Sequence, residues 1–110
     1  MERLRQRADF LSAATGTRVT APAFVLQARD RKDEGAVRVG FTVSRKVGNA
    51  VQRNRVRRRL REIVRLSDRA HLHAGHDYVL VGRRAALTIP YAQIAEAFTG
   101  ALTKLHGRSR

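Results

Sequence analysis

The residues best suited to chemistry in this chain are the arginines of one short segment. Seven arginines lie between positions 53 and 65, where Glu62 is the only acidic residue. They are Arg53, Arg55, Arg57, Arg58, Arg59, Arg61 and Arg65. A guanidinium group is planar and keeps its charge, and its fork of N–H donors suits phosphate oxygens and the edges of bases. The segment therefore predicts a surface that binds a polyanion.

Other kinds of chemistry have little support in the sequence. His71, His73 and His76 lie close together and could ligate a metal ion, but neither cysteine nor carboxylate ligands support them. The carboxylates are scattered over predicted turns and the ends of elements, so no general acid and base pair can be assigned. We therefore predict no catalytic side chain and no metal site in the protein. The least favoured alternative is a self-contained nuclease that uses His71 or Asp77.

The overall charge agrees with the arginine segment. Lys and Arg together number 23 against 9 Asp and Glu, a formal net charge of +14. Such a charge favours association with a polyanion; nucleic acid is the first candidate and an anionic membrane surface is the competitor. The chain contains no cysteine, no secretory signal and no apolar run of about 18 residues. We therefore expect a soluble cytoplasmic protein that does not bind membranes.

The length and composition predict one folded domain. The chain has 110 residues, of which 43% are hydrophobic, and it shows neither an internal repeat nor a linker. We therefore expect a single domain over residues 1–110, with a basic tail at about residues 106–110. No obligate protein partner is predicted.

Helical spacing predicts helices at both ends of the chain. The last helix begins near Pro90, and apolar residues recur on one face of it. The first helix covers residues 4–14. Its inner face is predicted to consist of Leu4, Ala8, Leu11 and Ala14.

Three regions of the chain have the pattern of β-strands. Residues 19–29 predict one or two strands, with an interruption at Pro22. Residues 36–44 alternate with period two, and residues 77–82 form a further strand-like run. The charged turn at residues 30–35 predicts that the strands on either side of it pair as a hairpin.

The arginine segment itself is predicted to be a helix from Asn49 to about Ser67. Asn49 is a good N-cap, and Gln52 follows three residues later in a capping-box arrangement. At about 100° per residue, four apolar side chains fall on one stripe that faces the core. They are Val56, Leu60, Ile63 and Val64.

Beside this stripe, Arg57, Arg61 and Arg65 form one row that has no carboxylate of its own. A helix face that only contacts solvent usually mixes charges, because like charges at i, i+4 destabilise a helix by about 0.2–0.5 kcal/mol. The row therefore favours a phosphate-binding face. From the segment alone, a ribosomal protein, a DNA-binding domain and an RNA cofactor all stay open.

The wider context resembles one family. Residues 41–62 read FTVSRKVGNAVQRNRVRRRLRE, which resembles the signature of the bacterial ribonuclease P protein subunit, where a strand ending in S-x-K-x-G-N-A-V precedes an "RNR" helix. Arg7-Ala8-Asp9-Phe10 is similar to the "R-x-x-D-F" of that family's first helix, and Phe24-Val25-Leu26 is similar to its "F-V-L" strand. Pro90-Tyr91 matches the start of its last helix. The resemblance covers about 100 residues in the expected order.

The resemblance implies an α+β fold of one domain, an α-β-β-β-α-β-α sandwich with a left-handed βαβ crossover (ribosomal protein S5 domain 2-like). It also implies a protein subunit that binds the catalytic ribonuclease P RNA and helps to remove the 5′ leader of precursor tRNA. The chemistry would belong to the RNA subunit and to Mg²⁺ held mainly by it. The residues expected to bind the RNA subunit are Arg45, Lys46, Asn49, Arg53, Asn54, Arg55, Arg57, Arg58, Arg61 and Arg65.

A second surface, a cleft between the first helix and the sheet, is implied to hold the single-stranded leader. Phe10, Phe24 and Gln27 are its expected contacts, although core packing is the competing interpretation for both phenylalanines. Ala14 stands where many members have a second Phe, and Gln27 stands where a Tyr often follows "F-V-L". The leader contact is therefore expected to be weaker or more polar here. The runner-up to this whole assignment is a ribosomal protein that uses the same helix against ribosomal RNA.

Overall fold

The structure is a computed structural model that describes residues 1–107, apart from the side chain of Arg69. Three helices and five strands form the fold. The helices are α1 (Arg7–Ala14), α2 (Ala50–Leu66) and α3 (Tyr91–Gly107). The strands are β1 (Glu2–Arg3), β2 (Thr17–Thr20), β3 (Phe24–Asp30), β4 (Arg38–Thr42) and β5 (His76–Gly82). Residues 108–110 of the predicted basic tail lie outside the described residues, whereas His106 and Gly107 belong to α3.

The strands form one mixed sheet in the order β1-β4-β5-β3-β2. β5 is parallel to β4 on one side and antiparallel to β3 on the other, and α2 lies between β4 and β5 in the chain. The predicted α+β class and element order are confirmed, with the short strand β1 added at the edge beside β4. Residues 19–29 contribute to two strands, as the interruption at Pro22 predicted.

The predicted hairpin between the strands that flank residues 30–35 is wrong, because β5 lies between β3 and β4. β5 is buried along most of its length, so it fits the centre of the sheet rather than an edge. The charged turn crosses the start of β5 instead of joining two neighbours. There the Arg31 side chain donates hydrogen bonds to the carbonyl of His76 and the carboxylate of Asp77.

The larger core lies between one face of the sheet and the helices α2 and α3. The predicted stripe of α2 is confirmed, since Val56, Leu60, Ile63 and Val64 are all buried. Across from them, the sheet contributes residues such as Leu26 and Leu80. This packing fixes the orientation of α2, so the polar side of the helix must face outward.

The other face of the sheet is covered only in part, by α1. The predicted inner face of this helix is wrong: Leu11 is 56% exposed, Ala8 and Ala14 are exposed, and the buried residue is Ala13. The helix begins at Arg7, so Leu4 is not part of it, although Leu4 is buried and donates its backbone N–H to the carbonyl of Val39. Because α1 has only 8 residues, it leaves an open groove beside it.

Candidate nucleic-acid interface

The start of α2 is held in place by its own side chains. The side chain of Asn49 accepts a hydrogen bond of 2.9 Å from the backbone N–H of Gln52, and the Gln52 side chain accepts one of 2.9 Å from the N–H of Asn49. A Cβ at Gly48 would overlap this glutamine side chain, so glycine is needed there. The predicted capping box is confirmed. It fixes the direction in which the basic residues leave the preceding turn.

The basic residues predicted to bind RNA lie together on this turn and on the outer side of α2. Arg53 and Arg57 are half-buried, and the other eight are exposed. The exposed residues are Arg45, Lys46, Asn49, Asn54, Arg55, Arg58, Arg61 and Arg65. We call the ten residues together the α2 surface. Within the described residues, the Nε of Arg53 is buried and has no hydrogen-bond partner.

The row Arg57, Arg61 and Arg65 contains no carboxylate, but its last member pairs with one from the neighbouring row. Glu62 lies one helical turn before Arg65 and forms an ion pair with it at 2.5 Å, which holds the pKa of Glu62 below its ordinary value. Both side chains are exposed, so the pair contributes little to stability and can exchange for a phosphate contact. The guanidinium of Arg61 lies 5.9 Å from the centre of the Phe41 ring, an orienting cation–π contact. Arg57 donates a hydrogen bond of 3.0 Å to Asn54.

Arg59 is the one arginine of the segment that serves the fold. Its guanidinium donates hydrogen bonds to the backbone carbonyls of Ala86, at 2.5 Å, and Ile89, at 2.8 Å. Both carbonyls lie in the connection that leads from β5 to α3. Arg59 therefore ties α2 to this connection, a role that sequence spacing could not separate from RNA binding.

This role predicts a difference between two adjacent arginines. Arg59→Ala should lower the free energy of unfolding by roughly 1.5–3 kcal/mol, because hydrogen bonds from a charged donor are lost. The control Arg58→Ala removes the same charge from an exposed position and should change stability by less than about 0.5 kcal/mol. Urea denaturation followed by circular dichroism measures both. Equal stability of the two variants would contradict the structural role.

The groove beside α1 has a volume of about 450 Å³. Its lining is mostly apolar, and Arg5 and Arg7 add positive charge to it. The residues from α1 and the sheet include Phe10, Leu11, Ala14, Gln27, Val79 and Val81. An apolar floor next to arginines suits unpaired bases whose phosphates remain in solvent.

A glycine in β4 sets the depth of the groove. The ring of Phe10 packs directly over Gly40, where an added Cβ would lie 2.6 Å from the ring atoms Cε1 and Cζ. Real Cβ atoms do not approach so closely, so any other residue at position 40 would displace the ring. Phe10 is thus half-buried, with its position set by the strand beneath it.

Of the three predicted leader contacts, two line the groove. Phe10 and Gln27 do, and Gln27 is only 8% exposed. The predicted leader contact of Phe24 is wrong. Its side chain points to the other face of the sheet, is 0% exposed, and packs edge-to-face against Phe98 of α3 with ring centres 6.2 Å apart. Side chains alternate along β3, so Phe24 and Gln27 must lie on opposite faces. Phe24 is therefore a core residue, which is the alternative that the sequence had left open for it.

Asp77, the carboxylate considered for a nuclease, is fully occupied. It is 0% exposed, and it accepts hydrogen bonds from Arg31 at 2.5 Å and from Arg38 at 2.7 and 2.8 Å. Burial alone would raise the pKa of Asp77, but the hydrogen bonds from the two arginines outweigh it and keep the pKa below its ordinary value. A carboxylate held in this way is neither a proton donor at neutral pH nor accessible to a substrate.

Comparisons with known proteins agree with the geometry. The ribonuclease P family model matches residues 1–106. The chain is 46% identical over 110 residues to the ribonuclease P protein component of Paramagnetospirillum magneticum, covering 96% of this chain and 83% of that protein. It is 55% identical over 82 residues to the corresponding protein of Gluconacetobacter diazotrophicus, covering 74% of this chain and 71% of that protein.

Solved structures extend the likeness to the fold. The RNase P protein of Staphylococcus aureus is 29% identical, with a TM-score of 0.80 over 96% of both chains. That of Thermotoga maritima is 29% identical, with a TM-score of 0.79 over 96% of this chain and 99% of the other. In residues 1–107, no helix combines the length and apolar character needed to cross a bilayer. Sequence and fold thus agree over nearly the whole chain.

Proposed function

Because this chain belongs to the ribonuclease P protein family, we propose that it binds the ribonuclease P RNA through the α2 surface and the 5′ leader of precursor tRNA in the groove beside α1. The ribonuclease P protein component is part of an endoribonuclease complex that processes tRNA. The ribosomal-protein alternative is set aside, because the family match covers residues 1–106. A cytoplasmic location follows from this function as part of the same proposal.

The observation that supports this proposal most strongly is the division of the molecule into two surfaces of different chemistry. The α2 surface is dense in guanidinium groups and presents a convex helix, which suits the phosphates of a folded RNA. The groove is concave and mostly apolar, which suits unstacked bases. The α2 surface is formed by α2 and the turn before it, whereas the groove is formed by α1 and the sheet. One protein can therefore hold two RNA molecules at once.

The protein positions RNA in this proposal, and the RNA subunit with Mg²⁺ supplies the chemistry of cleavage. Mg²⁺ requires oxygen ligands in octahedral geometry. In the part of the chain that the structure describes, the only group of three or more potential metal-ligating side chains consists of histidines, whose nitrogens do not suit Mg²⁺. The histidine group is therefore not a site for Mg²⁺, and in this proposal that ion is held mainly by the RNA.

Reconstitution tests the proposal. The full chain is added to a bacterial ribonuclease P RNA at low Mg²⁺, with a leader-bearing precursor tRNA as substrate. We expect faster cleavage and tighter substrate binding than with the RNA alone, because the protein neutralises phosphates and holds the leader. If the protein changes neither cleavage nor binding, the assignment is wrong.

Phe10→Ala should weaken binding of the leader by about 5- to 150-fold, the loss expected when one base no longer stacks on an aromatic ring. The affinity for the RNA subunit should be unchanged, because Phe10 lines the groove and does not belong to the α2 surface. The measurement is the dissociation constant of the holoenzyme for precursor tRNA with and without a leader. Mature tRNA is the control substrate, and a similar loss for it would contradict the groove assignment.

A further inference from the structure

A cluster of three histidines lies outside both RNA surfaces, where the end of α3 meets the start of β5. His73 precedes β5, His76 is its first residue, and His106 lies in the last turn of α3. One potential ligand atom from each of these residues lies within 4.8 Å of the other two. The sequence had grouped His71 with His73 and His76, but the structure brings in His106 from the far end of the chain instead. Such a convergence of imidazoles from separate elements is not explained by RNA binding.

The ring of His76 is held in one orientation. Its Nδ1 lies 3.0 Å from the backbone carbonyl of Ala74, and a carbonyl only accepts, so Nδ1 carries the proton. The lone pair is then on Nε2, which is the atom that can bind a metal. Histidines that ligate metals almost always donate their other N–H to a carbonyl or carboxylate in this manner.

The ring of His106 is also held by its neighbours. Nε2 of His106 forms a hydrogen bond of 2.6 Å with the hydroxyl of Tyr78, and the same hydroxyl accepts a hydrogen bond of 2.9 Å from the backbone N–H of His73. The rings of His73 and His106 stack with centres 3.6 Å apart and an angle of 17° between their planes. The two rings are therefore in contact, and one ligand atom of each lies within 4.8 Å of the other.

A carboxylate completes the set of donors. Oδ2 of Asp30, the last residue of β3, lies 3.9 Å from Nε2 of His76. Three imidazoles and one carboxylate are a donor set typical of tetrahedral Zn²⁺, with metal–nitrogen distances of about 2.0–2.1 Å. The side chain of His73 is exposed and can move inward to close the remaining distance.

We propose that His73, His76 and His106 form a binding site for one divalent transition-metal ion of the Zn²⁺ type, with Asp30 as the fourth ligand. The ion joins the end of α3 to the start of β5 and the end of β3. These segments are far apart in sequence, so the unfolded chain does not hold the ligands together. The ion therefore binds the folded chain more tightly and stabilises it.

Zn²⁺ titration of the full chain by isothermal calorimetry tests the site, in a buffer without phosphate. We expect one ion per chain and a rise in the thermal unfolding midpoint with added Zn²⁺. His73→Ala and His76→Ala should each weaken Zn²⁺ binding by more than about tenfold, since loss of even an outer-shell partner costs about 10- to 100-fold. The matched control is His71→Ala, a neighbouring histidine outside the cluster, which should bind Zn²⁺ as the unchanged protein does.

Two further readouts keep the test decisive. His73 is exposed, so its replacement should leave the circular dichroism spectrum and the metal-free unfolding midpoint unchanged, which separates lost binding from lost folding. Millimolar Mg²⁺ should not displace Zn²⁺, because Mg²⁺ disfavours nitrogen ligands. Equal Zn²⁺ affinity in the His73→Ala and His71→Ala variants, or displacement by Mg²⁺, would overturn the proposal.

Discussion

Asp77→Ala should lower the free energy of unfolding by about 3–5 kcal/mol, because it leaves Arg31 and Arg38 without the buried carboxylate that pairs with both. Asp77 is 0% exposed, and the side chains of Arg31 and Arg38 are 10% and 26% exposed, so water compensates the two guanidinium groups poorly. The pairs also connect β5 with β4 and with the turn after β3. Urea denaturation of the purified variant measures the loss.

The matched control is Asp33→Ala. Asp33 pairs with the same Arg31, at 3.1 Å, but its side chain is 52% exposed. A surface pair of this kind contributes about 0–1 kcal/mol. If the two variants are equally stable, the burial of Asp77 does not increase the contribution of its ion pairs to stability, and the role assigned to Asp77 is wrong.

The same carboxylate predicts how stability depends on pH. The pKa of Asp77 is lower in the folded protein than in the unfolded chain, so the unfolded chain binds the proton first as the pH falls. The stabilisation that ionised Asp77 gives the fold is fully present above the ordinary pKa of an unfolded aspartate. It is lost as the pH falls through the lower pKa of Asp77 in the folded protein. Acid titration of the thermal midpoint should therefore show a decrease in the unchanged protein that is reduced in Asp77→Ala.

The combined variant Arg57→Ala with Arg61→Ala should weaken binding to the ribonuclease P RNA by about 100-fold or more, since each charge-assisted hydrogen bond contributes roughly 1.5–3 kcal/mol. Loss of two phosphate contacts should also reduce the slope of log affinity against log salt by about 1.4–1.8. The fold should remain intact, because neither residue belongs to the buried stripe of α2. Filter binding over a series of salt concentrations measures both quantities.

A second double variant separates the α2 surface from overall charge. Arg18→Ala with Lys104→Ala removes the same two charges from a formal net charge of +14, but from exposed positions on β2 and α3. Its RNA affinity should fall far less. Equal losses in the two double variants would mean that net charge, and not the α2 surface, governs binding.

Local signals in the sequence predicted α2 in detail. The capping box at Asn49 and the apolar stripe from Val56 to Val64 depend on neighbours within a few residues, so spacing alone determines them. Alternation along β3 places Phe24 and Gln27 on opposite faces, so the prediction that both contact the leader in one cleft was wrong; alternation does not show which face holds the core. That choice depends on where α1 and α3 pack, which no local pattern contains.

The failures concern contacts between distant residues. The outward position of Leu11 follows from how α1 lies on the sheet, where Phe10 occupies the space above Gly40. Arg59 and Arg58 are equivalent in a sequence pattern, and only the carbonyls of the connection before α3 distinguish them. In the same way, nothing local pairs His106 with His73. The patterns in the sequence predicted the order of elements, and the family resemblance agreed with it, whereas the roles of Arg59, Phe24 and His106 needed the tertiary structure.

The central position of β5 has a consequence for synthesis of the chain. β3 and β4 never pair with each other, and both await a strand that is made after α2. Until β5 has left the ribosome, the facing edges of β3 and β4 have backbone donors and acceptors without partners, and these can pair with other chains. The sheet closes only when Gly82 has emerged, so the nascent protein is open to aggregation until then.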